Sequence, residues 1–381
     1  MTEYKPTLFN EWELTKRAKE RKLQPFRLKQ IFFELYKNQN TEWDTLTTIS
    51  KDLREELKES FDILSIEVID TVEAEDTTKF AFRTRDGHII EAILMYHRQN
   101  EKYVKDDKPK LNRITLCISS QVGCAMNCLF CVTWKLWFKR DLTREEIISQ
   151  ILFANTYIKK RFWKKEDWTN HWIRNVVFMW MGEPLLNYEN LRKSLEIMLQ
   201  QDRLSLGKRH ITISTCWIIP WIEKLVKDNI DVKLAISLHA PNQELRNKIM
   251  PIAKAYPLDE LMIAIDKYVK ATDNRIFYEY IMIKDITDKP ELAHQLVKLL
   301  QKKLAHINLI PYNENPAIDL KESPQNNIQN FKKILEDWGI TVTVRDSMWR
   351  EAKGACGQLG YEKVKENQKN YSHSGAKGGL T

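Results

Sequence analysis

Glycine is scarce in this chain, 11 of 381 residues, where roughly 7% is usual. Tryptophan, at 12, outnumbers it. A chain with many turns needs residues that tolerate positive φ, so the shortage raises the question of where the missing glycines belong. Long apolar runs are lacking too: no stretch of 18 or more apolar residues occurs, which excludes a membrane-spanning helix. The opening MTEYKPTLFNEW has no basic stretch leading into an apolar one, so no secretory signal is expected and the reading is cytoplasmic. Cysteine is sparse, six in all. In a cytosolic protein these are not structural disulfides, and clustered ones point to metal binding or redox catalysis. No charge sign dominates strongly. The net charge of +8 mildly favours a polyanionic partner. One dense basic patch, KKRFWKK at Lys159 to Lys165, suits phosphates and a stacked base; a solvated helix end accounts for it slightly better.

What is present has a clear order. Residues 1–60 carry helical periodicity in QPFRLKQIFFELYKNQ and SKDLREELKESF. Residues 61–96 switch to strands: SIEVIDTV, TKFAFRT and IIEAILMY, the last two joined by a turn at Arg85–His88. From residue 113 onward seven near-continuous apolar strand candidates alternate with six helical ones. They are RITLCIS, NVVFMWM, HITISTC, VKLAISLH, IFYEYIMI, HINLIP and ITVTVR. Thr143 and Glu146 form a capping-box pattern at the first helix of this series. Such alternation specifies a parallel sheet covered by helices. Seven units fall just short of a complete eightfold barrel, so the expected fold is α/β, an incomplete (β/α) barrel with chemistry at the C-terminal strand ends, preceded by a small helical/β accessory domain. The expected segments are an accessory RNA-binding domain at 1–96, a linker at 97–112, the core at 113–347, and a C-terminal segment at 348–381 with a polar, disordered tail.

Cys124, Cys128 and Cys131 follow the first barrel strand with C-x3-C-x2-C spacing, and with Cys117 place four of the six cysteines within fifteen residues. Thiolates bind soft iron or zinc. Three on one loop can serve three irons of a [4Fe–4S] cluster, which usually takes four cysteines, and leave one iron open. A zinc site completed by Cys117 or Cys356 is the competing reading, although zinc normally takes C-x2-C pairs.

CISSQVGCAMNCLFC, MGEPLLN, HITISTC, SLHAPN, LIPYN and ACGQL together resemble the RlmN family of radical S-adenosylmethionine (SAM) enzymes, dual-specificity methyltransferases of adenine C2 in RNA. The likeness runs from about residue 20 to residue 360. It implies an incomplete radical-SAM barrel in which Cys124, Cys128 and Cys131 hold the cluster. It assigns SAM contacts to Gly182, Glu183, Ser214, Ser237, Leu238, His239 and Asn313, with Glu183 receiving the SAM amine. By the same resemblance Cys356 is methylated by one SAM, a second SAM supplies the radical, and Cys117 frees the product by a transient disulfide with Cys356. Glu91 matches a position assigned as proton acceptor, and Cys216 matches no catalytic one. The implied partners are 23S rRNA, tRNA in some members, and an electron donor such as flavodoxin or ferredoxin; a monomer is expected. The sister activity on adenine C8 shares the cysteine set and is the nearest alternative.

The tryptophans depart from the pattern. Trp134, Trp137, Trp180, Trp217, Trp221 and Trp349 stand where RlmN-like chains have glycine. Indoles there overpack a site that needs close backbone approach. One hypothesis covers the composition and the positions: a gene in which UGA encodes glycine, translated with UGA as tryptophan. Trp163, Trp168 and Trp172 are further candidates. If the tryptophans are real, an inactive iron–sulfur RNA-binding paralogue becomes the alternative.

Overall fold

A computed structural model describes residues 4–98, 111–162, 172–216 and 218–345. The first part holds α1 (Glu11–Glu20), α2 (Pro25–Phe32), α3 (Lys51–Ser60), β1 (Ile66–Glu73), β2 (Thr77–Thr84) and β3 (Ile89–Arg98). There follow β4 (Leu111–Cys117), β5 (Gln121–Val122), β6 (Arg140–Asp141), α4 (Arg144–Phe162), β7 (Ile173–Phe178), α5 (Tyr188–Leu199) and β8 (Ile211–Thr215). The remainder comprises α6 (Ile219–Lys227), β9 (Lys233–Ser237), α7 (Gln243–Ile249), α8 (Leu258–Thr272), β10 (Ile276–Met282), α9 (Pro290–Leu300), β11 (Ala305–Pro311), α10 (Gln325–Asp337) and β12 (Thr341–Val344). All seven strands expected from residue 113 onward form, as do the six helices between them. The short α7 escaped the periodicity because NQELRNKI is mostly polar. Its signal is the cap: the Asn242 side chain accepts from Leu245 N–H at 2.9 Å.

The chain divides into two compact units that interleave along the sequence. One comprises Met1–Ser120, Asp141–Val177 and Asn187–Ile211; the other Gln121–Arg140, Phe178–Leu186 and Thr212–Thr381. The sequence boundary at residue 112 thus falls inside the first unit. The physical reason is pairing: β3 and β4 are antiparallel neighbours, with Ile93 opposite Cys117. Most of the 97–112 segment, and all of 348–381 with Cys356, lie outside the described residues.

In the first unit β1 to β4 form an antiparallel meander, and β7 adds to β4 in parallel. Phe80 and Phe82 of β2 meet Phe153 of α4 edge-on, with centroids 5.2 and 5.3 Å away, so a helix seals the sheet face. The α4 capping box is reciprocal: Thr143 N–H donates to Glu146 at 2.9 Å, and Glu146 N–H to Thr143 Oγ1 at 3.2 Å. The cations at the end of α4 are engaged. Lys159 donates to Asn38 O and Asn40 Oδ1 at 2.8 and 2.7 Å, Lys160 pairs with Glu42, and Arg161 with Glu73 at 2.5 Å. The described half of KKRFWKK is therefore a paired helix end; Trp163 to Lys165 lie outside the described residues.

In the second unit β8 to β12 are consecutive parallel strands. Leu234, Ala235 and Ile236 of β9 are fully buried, as a strand covered on both faces requires. Register carries polar residues onto one level: Ser237 lies beside Glu279, Glu279 beside Asn308, and Asn308 beside Thr343.

Candidate active site

The cysteine loop belongs to the second unit and is tied down at several points. Lys139 N–H donates to Val122 O at 2.9 Å, and Leu129 N–H to Ile249 O at 2.9 Å. Gly123 has φ +74°, and a Cβ there would lie 2.0 Å from the Trp137 carbonyl oxygen. Only glycine permits that crossing. Met126 and Cys128 pack with Ala240, Ile249 and Met250, with Cys124, Cys131 and Cys216 alongside. Phe130 stands edge-on to His239, centroids 4.8 Å apart.

Cys124, Cys128 and Cys131 line one cavity together with Gly182, Glu183, Ser214, Ser237, His239 and Asn313. The sequence had singled out all nine. The thiol of Cys124 is pushed well above its ordinary pKa by burial and by the neighbouring Cys131 and Cys128. Binding of a soft metal displaces the proton that burial and crowding hold on Cys124. Cys124, Cys128 and Cys131 at one cavity are a donor set suited to an iron–sulfur cluster. Among the described residues no two cysteines are joined in a disulfide; Cys356, the partner expected for Cys117, lies outside them.

Glu183 is almost completely buried, 2% exposed. Its carboxylate accepts from Leu185 N–H at 3.0 Å, from Cys216 N–H at 2.8 Å, and from the Cys216 thiol at 3.0 Å. Burial nevertheless raises its pKa. Such a carboxylate favours an ammonium partner. Gly182, φ +99°, holds the turn: a Cβ there would lie 2.5 Å from Gln121 Cβ, whose side chain receives Glu183 N–H at 2.8 Å.

His239 adopts a left-handed backbone, φ +55°, and its Nδ1 accepts from Ile281 N–H at 3.1 Å. Burial and the nearby Arg246 guanidinium depress its pKa to about 3, so the ring is neutral and Nε2 carries its proton. Asn313 is 8% exposed and its Oδ1 has no partner among the described residues, an acceptor suited to a ligand in the cavity. Leu238 stays behind the wall, 0% exposed, and gives its carbonyl to Arg246 Nε at 3.1 Å.

Glu279 stands outside the residues singled out from the sequence. It lines the cavity at 3% exposure; Oε1 accepts from Asn308 Nδ2 at 2.8 Å, and Oε2 lies 3.7 Å from Arg345. Its signal was legible: a lone carboxylate within the apolar strand IFYEYIM.

Glu91 and Cys117 belong to the first unit. Glu91 is 1% exposed and its carboxylate lies 3.6 Å from Lys79. Cys117 is also buried. Because Ile93 pairs with Cys117, Glu91 shares that sheet face, diagonally about 7–8 Å away.

Two tryptophans bear on the glycine question. Trp137 has φ +53°, a region costly for a bulky residue. Trp180 lines the cavity with its indole N–H buried and unpartnered. Trp221 lies in the first turn of α6. Nothing is described of the Trp134 side chain, and Trp217 and Trp349 lie outside the described residues.

A family model of the radical SAM superfamily matches residues 118–297. A protein of Aquifex aeolicus named "probable dual-specificity RNA methyltransferase RlmN" is 41% identical over 91% of this chain and 94% of its own length. One of the same name from Clostridium botulinum is 40% identical, over 93% and 96%. Among solved structures, a radical SAM methyltransferase from Sphaerobacter thermophilus matches with a TM-score of 0.83 at 34% identity, over 95% of this chain and all of that one.

Proposed function

The chain belongs to the RlmN family of radical SAM RNA methyltransferases, and from that premise we propose that it methylates C2 of an adenine in 23S rRNA and in tRNA. The observation that carries this reading is the gathering of three cysteines, Glu183, neutral His239 and the unpartnered Asn313 oxygen around one cavity. Cys124, Cys128 and Cys131 hold a [4Fe–4S] cluster. When bound, the cluster supplies the electron that cleaves SAM and so provides hydrogen-abstracting chemistry. Glu183 pairs with the SAM amine, Gly182 keeps the backbone close enough for it, and Ser214, Ser237, His239, Asn313 and the Leu238 backbone fix the rest.

C2 of adenine is an electrophilic amidine carbon, so it cannot attack a sulfonium methyl as a nucleophile does. A thiol that first takes the methyl group resolves this, and Cys356 fills that role. In that scheme the S-methyl group of Cys356 loses a hydrogen atom to the radical from a second SAM, its carbon bonds to C2, and the C2 hydrogen leaves as a proton and an electron. The Cys117 thiolate then attacks the Cys356 sulfur, so that the S–S bond forms as the C–S bond breaks. The released carbon takes up a proton to become the methyl group, leaving a catalytic disulfide suited to a reducing compartment. Glu91, on the same sheet face as Cys117, takes the proton from C2. The electron donor is a flavodoxin or ferredoxin, and the enzyme works as a cytoplasmic monomer. Residues 1–96 serve RNA binding, and a splayed-out adenine is the substrate group.

The test is anaerobic reconstitution. The expected results are a cluster spectrum perturbed by SAM, release of 5′-deoxyadenosine on reduction, and 2-methyladenine in treated RNA by mass spectrometry. Methylation at C8 replaces the site assignment by the sister activity. A sound cluster with no 5′-deoxyadenosine overturns the enzymatic reading.

A further inference from the structure

A second cavity lies wholly in the first unit, at the N-terminal ends of β4 and β7. Arg113, Arg174 and Lys37 line it, and among the described residues no Asp or Glu does. Neither arginine has an acidic partner among the described residues, and both side chains are exposed. Lys37 is fixed at the rim, its ammonium donating to Gln201 O at 2.6 Å.

Three independent features of the wall point to a ligand. The Tyr36 hydroxyl is buried without a partner among the described residues, in a residue 2% exposed; a buried hydroxyl left so is costly unless something completes it. Tyr36 and Lys37 both lie in a π-turn at Phe33–Lys37, a distortion frequent at functional sites. The third is at Arg174. Ile114 pairs with Ile173 but Thr115 with Asn175, so Arg174 is the extra residue of a bulge, a device that re-aims a side chain. With Ile114 opposite Ile173, Arg113 and Arg174 flank that pair on bonded neighbours, so their backbones lie about 8 Å apart.

We infer that this cavity is a phosphate-binding site, with two guanidiniums and an ammonium for the anion and the Tyr36 hydroxyl as an uncharged donor. Guanidiniums take phosphate oxygens bidentately. The ligand is the backbone of the RNA substrate, because the cations face solvent and the chain acts on a polyanion. That source rests on the RNA reading above; the phosphate chemistry does not. The site serves affinity rather than chemistry, since phosphate contacts position a nucleic acid without reading its bases.

The experiment uses the full-length, cluster-loaded protein, a fluorescein-labelled RNA hairpin containing an unmodified adenine loop, and separately ATP and inorganic phosphate. The Arg113→Gln/Arg174→Gln double variant is compared with the parent by fluorescence anisotropy across a salt series. Expected are about tenfold weaker RNA binding and a salt slope reduced by about 1.4–1.8, the value for two lost phosphate contacts. The cluster spectrum, its response to SAM and the methylation rate at saturating RNA stay unchanged. Tyr36→Phe, which removes one oxygen, weakens binding by a smaller factor. RNA affinity and salt slope equal to the parent's, combined with no variant-sensitive thermal shift by ATP or phosphate, overturn the site. A shift by ATP or phosphate that the double variant loses, with RNA affinity unchanged, overturns RNA as the source. Failure of the parent itself to bind RNA counts against the functional reading instead.

Discussion

Glu183 is the residue on which the cavity's electrostatics turn. Burial raises its folded pKa, which shifts the balance toward the neutral acid in the ligand-free protein. Its contribution to stability is then present below the usual carboxylate range and is lost as pH rises through the raised value. An ammonium partner stabilises the charged form, so SAM should bind more tightly as pH rises across that interval. Glu183→Gln should weaken SAM binding at least tenfold, about 1.4 kcal/mol, and flatten the pH dependence. Titrating the cluster absorbance with SAM measures both, and equal affinity in the variant sinks the assignment. His239 titrates in the opposite sense. Its pKa falls to about 3, so its contribution is present above the ordinary histidine range and is lost as pH falls from there toward 3. Trp137 and Trp180 carry the remaining residue-scale prediction. A left-handed backbone costs a non-glycine residue about 1–2 kcal/mol, so Trp137→Gly should raise the unfolding free energy by roughly that amount, read from a denaturant midpoint. Trp180→Gly, which removes an unpartnered buried donor from the cavity, should strengthen the SAM response. Reading the codons is decisive: UGG at both positions makes the tryptophans genuine.

Among the elements, the cysteine loop is held by backbone crossings more than by its own residues. Gly123→Ala puts a Cβ 2.0 Å from a carbonyl oxygen at a φ of +74°. The expected outcome is a lower iron-to-protein ratio with an unchanged far-ultraviolet dichroism spectrum, because the rest of each unit keeps its pairing. The α4 capping box is a milder case. Thr143→Ala should cost about 1 kcal/mol, read from a denaturant midpoint. That box was legible as a Thr and a Glu three residues apart, and so were seven strands, because continuous apolar runs between helical patterns admit few architectures. The seven-residue α7 was not, since its stability comes from one side-chain cap and from packing. Glu279 shows the same boundary. Its place in the strand was visible, but its partner Asn308 is set by the register of β10 on β11, which no local pattern states.

At the scale of the whole molecule, the cluster is expected to stabilise fold as well as chemistry, because a metal centre held by three cysteines of one loop binds the folded chain and not the unfolded one. Anaerobic iron chelation should therefore lower the thermal midpoint, and re-addition of iron and sulfide should restore it; a midpoint indifferent to iron counts against ligation by these cysteines. The sequence by itself determined the alternating architecture, the C-x3-C-x2-C ligand loop and the glycine shortage, because periodicity, spacing and composition are local properties of a chain. The tertiary structure alone decided that Glu183, His239 and Asn313 meet those cysteines at one cavity, and that Glu91 shares a face with Cys117. It also decided that the cations ending α4 are paired while Arg113 and Arg174 have no acidic partner among the described residues. Each of these depends on which strand lies beside which and in what register, and register is fixed by packing between segments far apart in the chain.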